Sequence, residues 1–330
     1  MATIHYLNVK EGDCSVIQHN SERVTVIDVC NAKIESPVEQ ALGLFGFGLS
    51  GQGTAGIHRQ KDNPVNPISY MQAHGIKSVF RFILTNPDMD HMDGIQALFT
   101  TFTPLNFWDT DNNADKDFSE GSPYSEADWR FYKALRDGKP EYDPKRLTLY
   151  SGDKGKFRNI DENEQPGGDG LYVLAPTPAL VREANEIDDH NDCSYVVLYK
   201  TGGWRILFGG DSHDRTWEHV LSVHKQDVEN VDLLIAPHHG RDSDRSYEFL
   251  DVLKPKLTFF GNARSEHLAY DAWYARDLPF ITNNQAGSMV IDASGDSLSL
   301  YVTHKPFAQS WNQNTFYSEK FRAYYCYRLA

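Results

Sequence analysis

Phe82-Ile-Leu-Thr-Asn-Pro-Asp-Met-Asp-His-Met-Asp-Gly94 is the stretch on which the reading of this chain turns. An apolar run, Val79 to Leu84, breaks into Asn86, Asp88, Asp90, His91 and Asp93, and Gly94-Ile-Gln-Ala-Leu-Phe99 then reads as the start of a helix. A buried strand therefore ends in a cluster of oxygen and nitrogen donors. Carboxylates this close repel one another unless a cation sits between them. Aspartate with histidine at a strand end is the donor mixture expected for zinc or manganese. An acidic helix cap explains one or two of these side chains, but not all of them and not the imidazole.

Working outward, two later strands end in the same manner. Arg205-Ile-Leu-Phe-Gly-Gly-Asp211 is apolar up to its final acid, and Val231-Asp-Leu-Leu-Ile-Ala-Pro-His-His-Gly240 runs into paired histidines. Asp188-Asp-His-Asn-Asp-Cys-Ser194 precedes a strand over Tyr195–Tyr199. His190, alone in that acidic loop, reads as a surface residue. Upstream, Ile4–Val9, Cys14–Gln18 and Val24–Val29 read as strands, with the turn Gly12-Asp13 between the first two and Asp28 near the end of the third.

The composition suits a globular chain: 330 residues, 40% hydrophobic, 12% aromatic, with no apolar run near the ~20 residues of a membrane span. Cys14, Cys30, Cys193 and Cys326 are far apart with no Cys-x-x-Cys, and the start of the chain lacks a charged segment followed by an apolar one. These features lead us to expect reduced thiols, no signal peptide and a cytoplasmic protein. A net charge of −14 argues against a broad electrostatic footprint for nucleic acid, though not against a nuclease that meets phosphate through metal ions.

Thr85-Asn-Pro-Asp-Met-Asp-His-Met-Asp-Gly94 resembles the signature turn of the metallo-β-lactamase superfamily, His-x-His-x-Asp-His, in the form His-x-Asp-x-Asp-His used by the β-lactamase-like domain of bacterial DNA-uptake competence channels. Asp88, Asp90 and His91 match that form, whereas Asn86 stands at the first histidine. Gly12-Asp13, Val26-Ile-Asp28, Asn191 with Ser194, Gly210-Asp211 and His238-His-Gly240 resemble the family's other signatures, in its order. The resemblance covers most of residues 3–300. It implies an α/β fold, a four-layer αββα sandwich with metals where two sheets meet, and a metal-activated water that attacks phosphate, ester or amide.

Carried over by position, Asp90, His91, Asp211 and His239 would form one complete metal site. Asn86, Asp88, Asn191 and a shared Asp211 would form a second, looser one, since an amide is a weak ligand. One or two divalent ions are expected: zinc or manganese, with magnesium as a further candidate. Asp90, Asp211 and His239 carry the expected catalysis. His239 precedes Gly240 as the superfamily ligand does, so His238 would support it or face substrate. Arg241, Ser243 and His267 are candidate phosphate or substrate contacts.

We read residues 1–330 as a single domain with loop insertions at about 34–66 and 105–170 and an aromatic C-terminal extension at about 303–330. Gly43–Gly56, rich in glycine, reads as a mobile loop or a substrate lid. Asp109–Asp117 resembles a calcium loop in composition but lacks its Gly and closing Glu, so it reads as a solvated loop. Pro67–Gly75 and Glu126–Arg136 read as helices, the latter on the surface, and Pro279–Ile291 resembles the family's late strand, Thr-x-x-x-Gly followed by apolar residues. Trp311–Ala330 would pack on the domain or make an oligomer contact. Three functions follow: a phosphodiesterase or nuclease, another metal-dependent esterase such as one acting on phosphocholine, or a catalytically weak fold binding a protein partner within a defence or nucleic-acid complex. A phosphoester, including nucleic acid, is the expected substrate, with no membrane partner.

Overall fold

The structure is a computed structural model that describes residues 2–35, 58–119, 121–139, 144–243, 245–263 and 267–329. The glycine-rich stretch Gly43–Gly56 lies outside these residues. Two sheets face one another. The first runs β15 (Tyr317–Ser318), β16 (Ala323–Leu329), β14 (Leu298–Val302), β13 (Met289–Asp292), then β1-β2-β3-β4-β5-β6, and the second β12-β11-β10-β9-β8-β7. In the first, β1 (Thr3–Tyr6), β2 (Ser15–Gln18) and β3 (Val24–Ile27) form an antiparallel meander. Strands β4 (Arg81–Ile83), β5 (Asn106–Trp108) and β6 (Lys145–Leu147) then follow in parallel. In the second, β7 (Leu171–Ala175), β8 (Val196–Thr201) and β9 (Trp204–Phe208) are antiparallel. Strands β10 (Leu233–Ile235), β11 (Leu257–Phe260) and β12 (Phe280–Thr282) continue β9 in parallel.

The strands read as continuous apolar runs because both of their faces are covered. Alternate residues point to opposite sides. Ile27 and Ile83 therefore join Ile4, Ile17, Val197, Phe208, Leu233 and Phe259 between the sheets. Val26 and Phe82 point outward, under Ile68 and Met71 of the helix Pro67–Ala73, Leu98 of Ile95–Phe102 and Trp129 of Glu126–Arg136. Leu198, Leu207 and Leu234 point away from the other sheet, under Trp217, Val220, Leu250 and Trp273. Helices, sheet, sheet and helices make the four-layer αββα sandwich that the resemblance implies.

Several local expectations change. Residues 105–170 are not simply a loop insertion: β5 and β6 lie in this span and extend the first sheet. Asp109–Asp117 is not a solvated loop throughout, since Asp109, Thr110, Asn112 and Ala114 are buried. Asp109 follows directly on β5, and its carboxylate accepts from Arg146 Nε at 2.7 Å. Pro279–Ile291 is two strands in different sheets, β12 and β13 (Met289–Asp292), separated by the helix Asn283–Ala286. Thr282 and Gln285 cap that helix reciprocally and end β12. His190 is buried rather than on the surface. The C-terminal aromatics pack on the domain. Strand β16 (Ala323–Leu329) pairs with β14 (Leu298–Val302), and Trp311 stacks on Tyr327 at 4.9 Å. Cys14, Cys30, Cys193 and Cys326 are all buried and unpaired. Among the described residues no helix is long and apolar enough to cross a membrane.

Candidate metal centre

Parallel strands present their carboxyl ends at the same edge of a sheet, and that edge is where open α/β folds place their sites. Here β3 ends one residue before Asp28, β4 runs into Asn86–His91, β9 into Asp211 and β10 into His238-His239. Asp90 and His91 sit in the 3₁₀ turn Met89–His91, whose tight winding aims both toward the second sheet. Asp13 arrives from the turn between β1 and β2. Gly12 is required there, because a Cβ at that position would overlap the Asp90 carbonyl and the Cys30 side chain.

The donor atoms of Asp90, His91 and His239 all lie within 4.8 Å of one another. Asp211 closes a further side, with Oδ2 3.2 Å from His91 Nε2 and Oδ1 3.8 Å from His239 Nε2. Asp90 Oδ2 lies 3.3 Å from His239 Nε2. Each imidazole is held from behind. Asp28 accepts from His91 Nδ1 at 2.9 Å and also from Thr85 N and Oγ1. Asp13 Oδ1 lies 3.1 Å from His239 Nδ1, and Asp13 is itself fixed by the Tyr6 hydroxyl at 2.5 Å. Carboxylates face both nitrogens of each ring; with an ion in the shared space, Nδ1–H toward Asp28 and Asp13 would leave both Nε2 atoms to ligate it. His91 Nε2 and Asp211 Oδ1 are buried with no hydrogen-bond partner. A ligand set of two imidazoles and two carboxylates, two of its inward atoms unpartnered, fits a zinc or manganese ion.

Electrostatics agree with that geometry. Burial alone would lift the Asp211 carboxyl, but His91, His239 and His238 hold it well below the usual carboxylate range. Asp90 is lowered in the same way, burial being outweighed by the His239 hydrogen bond and the charges of His91 and His239. Burial would depress His91 and His239, yet Asp211 with Asp28, and Asp13 with Asp211, push them well above the usual imidazole value. Positive charge is thus demanded among these carboxylates, and protons or a metal ion can supply it.

His238 is placed differently. Its Nδ1 faces Arg245 Nη2 at 2.9 Å and Ser243 Oγ at 2.9 Å. Guanidinium cannot accept, so Nδ1 is bare and Nε2, 3.7 Å from Asp211 Oδ2, carries the hydrogen. Burial, with His239 and Arg245, lowers this imidazole to about 4, leaving a neutral N–H donor. His238 and His239 both adopt left-handed backbone, at φ 52° and 58°. Such conformations cost ~1–3 kcal/mol each and persist where packing over-determines them. They direct two adjacent imidazoles into one centre.

The remaining expected residues fall into two groups. Asn86, Asp88 and Asn191 lie together: Asn86 Nδ2 donates to Asn191 Oδ1 at 3.4 Å, and Asp88 N donates to Asn86 Oδ1 at 3.1 Å. Arg241 is exposed and meets the histidine turn through its backbone, its N–H donating to the His238 carbonyl at 2.8 Å. His267 has an exposed ring, and its carbonyl accepts from Asp242 N. Sequence reasoning assigned no role to Arg245, Lys116 or Tyr6. For Asp13 and Asp28 the signal was present, since both sit in the strand-end motifs quoted above.

No family model matches the chain, and no curated protein does. Among solved structures it is similar to Igni18, a metallo hydrolase from Ignicoccus hospitalis, at 10% identity over 88% of this chain and 99% of that one, with a TM-score of 0.46. It is similar to Zn(2+)-bound PqqB from Methylobacterium extorquens at 11% identity, over 88% and 99% of the two chains, with a TM-score of 0.46. It is also similar to CmlA β-hydroxylase of Streptomyces venezuelae at 12% identity and a TM-score of 0.41. That match covers 78% of this chain and 45% of CmlA, so this chain spans less than half of that protein. At such identities and TM-scores these similarities decide nothing about chemistry, which rests on the residues of the site.

Proposed function

We propose that this protein is a metal-dependent hydrolase of phosphoester bonds, a phosphodiesterase or nuclease. The observation that carries the reading is the convergence of His91 Nε2, His239 Nε2, Asp90 and Asp211, with each imidazole held at Nδ1 by a buried carboxylate. Asp90, His91, Asp211 and His239 would hold the ion, zinc or manganese by donor type, with magnesium less suited to imidazoles. When bound, it would acidify a water and neutralise charge developing on the attacked group. Asp90, with the most exposed side chain of the four, orients the attacking water. Asp28 and Asp13 keep the imidazoles in the ligating tautomer. His238 offers its Nε2–H to an anionic oxygen or to the leaving group. Arg245 behind His238 and Lys116 beside Asp88 add the positive charge that an anionic substrate needs. The likeness to competence-channel domains supports nucleic acid as one substrate. Four buried, unpaired cysteines support a reducing, cytoplasmic setting.

One observation favours a second reading, a catalytically weak fold that acts by binding a protein partner: Asn86 and Asn191 hydrogen-bond to each other rather than presenting imidazoles. Assaying bis-p-nitrophenyl phosphate beside DNA and RNA, with zinc, manganese or magnesium, separates the two. The first reading expects metal-dependent cleavage that Asp90→Ala abolishes without altering the far-UV spectrum. A parent protein inert with every metal, or an Asp90→Ala variant within a few-fold of the parent, would sink it.

A further inference from the structure

We propose that this centre takes one divalent ion, and that the ammonium of Lys116 stands in place of a second. The inference rests on the metal reading above. Each side chain that the resemblance assigns to a second ion is already engaged. Asp88 Oδ1 accepts from Lys116 Nζ at 2.5 Å, and the amides of Asn86 and Asn191 bond to each other. Among the described residues, Asp90, His91 and His239 form the group of acids and imidazoles close enough to hold an ion. A second dication would have to displace a cation from Asp88 and settle for two neutral amides, while sharing Asp211 with the first ion. Two dications sharing one carboxylate would repel, and neutral amides would do nothing to offset that.

Lys116 is delivered by structure rather than left to a floppy loop. It belongs to the acidic stretch Asp109–Asp117, of which Asp109, Thr110, Asn112 and Ala114 are buried. Asn112 Nδ2 donates to the Tyr132 hydroxyl at 2.7 Å, and Asn113 N to Asn185 Oδ1 at 2.9 Å. Lys133 Nζ holds the neighbouring Asp115 at 2.9 Å. The Lys116 and Asp88 side chains remain 34% and 35% exposed, so the pair is reached from solvent. A permanent single charge there neutralises Asp88 and offers a donor to an anionic phosphoester oxygen without a second metal.

Metal stoichiometry tests this. Protein saturated with zinc or manganese, desalted and analysed for metal, is expected to hold one equivalent, and Asn86→His alone still one, because Lys116 keeps Asp88. Asn86→His combined with Lys116→Met is expected to show a second, weaker binding step in calorimetry. Zero equivalents in the parent would overturn the metal reading of the preceding subsection. Two equivalents in the parent, with the second lost in Asp88→Asn, would overturn this inference and leave that reading standing. A paired variant that folds, keeps the parent's first step and gains no second one would also overturn it. Should the paired variant not fold, Lys116→Met alone decides: a manganese-dependent rise in Tm beyond the first equivalent supports the inference, and no rise refutes it.

Discussion

Arg245 Nη2 lies 2.9 Å from His238 Nδ1, and this contact assigns different chemistry to two adjacent histidines. His239, backed by Asp13, turns an Nε2 into the centre that an ion would take in place of a proton; His238, backed by a guanidinium, turns an N–H toward it. His239→Gln is therefore expected to lose bound metal. His238→Gln should keep its metal and lose about 10²-fold in phosphodiester turnover, the scale of a lost proton donor. Elemental analysis beside steady-state rates checks this. Loss of metal in both variants would mean that the tautomer assignment is wrong.

Asp28 is not itself a candidate ligand but accepts from Nδ1 of one, His91, at 2.9 Å. Asp28→Asn is expected to weaken metal affinity 10–100-fold, read by competition with a chelator, with little change in donor geometry. Unchanged affinity would show that the His91 ring is oriented by packing alone.

Asp211 tests the charge balance of the metal-free protein. Its carboxyl is held well below the usual range because His91, His239 and His238 surround it despite full burial. Asp211→Asn leaves buried positive charge uncompensated, so urea unfolding in chelator should show a loss of about 3 kcal/mol. A mere cluster of repelling acids would instead gain stability on this change.

Away from the centre, His5 and His19 are buried, and burial lowers each imidazole from 6.5 to about 3. Above pH 6.5 both folded and unfolded chains hold them neutral. Below that value the unfolded chain takes up protons that the folded one refuses, so stability falls as pH drops from 6.5 toward 3. Each contributes a slope of up to about 1.4 kcal/mol per pH unit. His5→Gln should flatten the acid limb of a urea-midpoint profile. A profile as steep as the parent's would contradict the burial argument.

What was legible in the sequence is what short-range periodicity encodes. Strands covered on both faces must be apolar throughout, so Arg205–Phe208 and Val231–Ile235 stand out, and the donors that follow them stand out by contrast. The ends of β4, β9 and β10 could be read because each signal lies within about ten residues of chain, and the four-layer fold was implied by the resemblance those ends carry. Only the tertiary structure decided which charges meet. Lys116 pairs with Asp88 and Arg245 with His238 through loops whose paths no periodicity specifies. Asp109, in a stretch acidic enough to look solvated, is buried because it ends a sheet strand and meets Arg146 from β6. Local sequence dictates where a strand stops. The partner of a side chain beyond that point depends on how distant segments pack, and it is those partners that distinguish His238 from His239 at this centre.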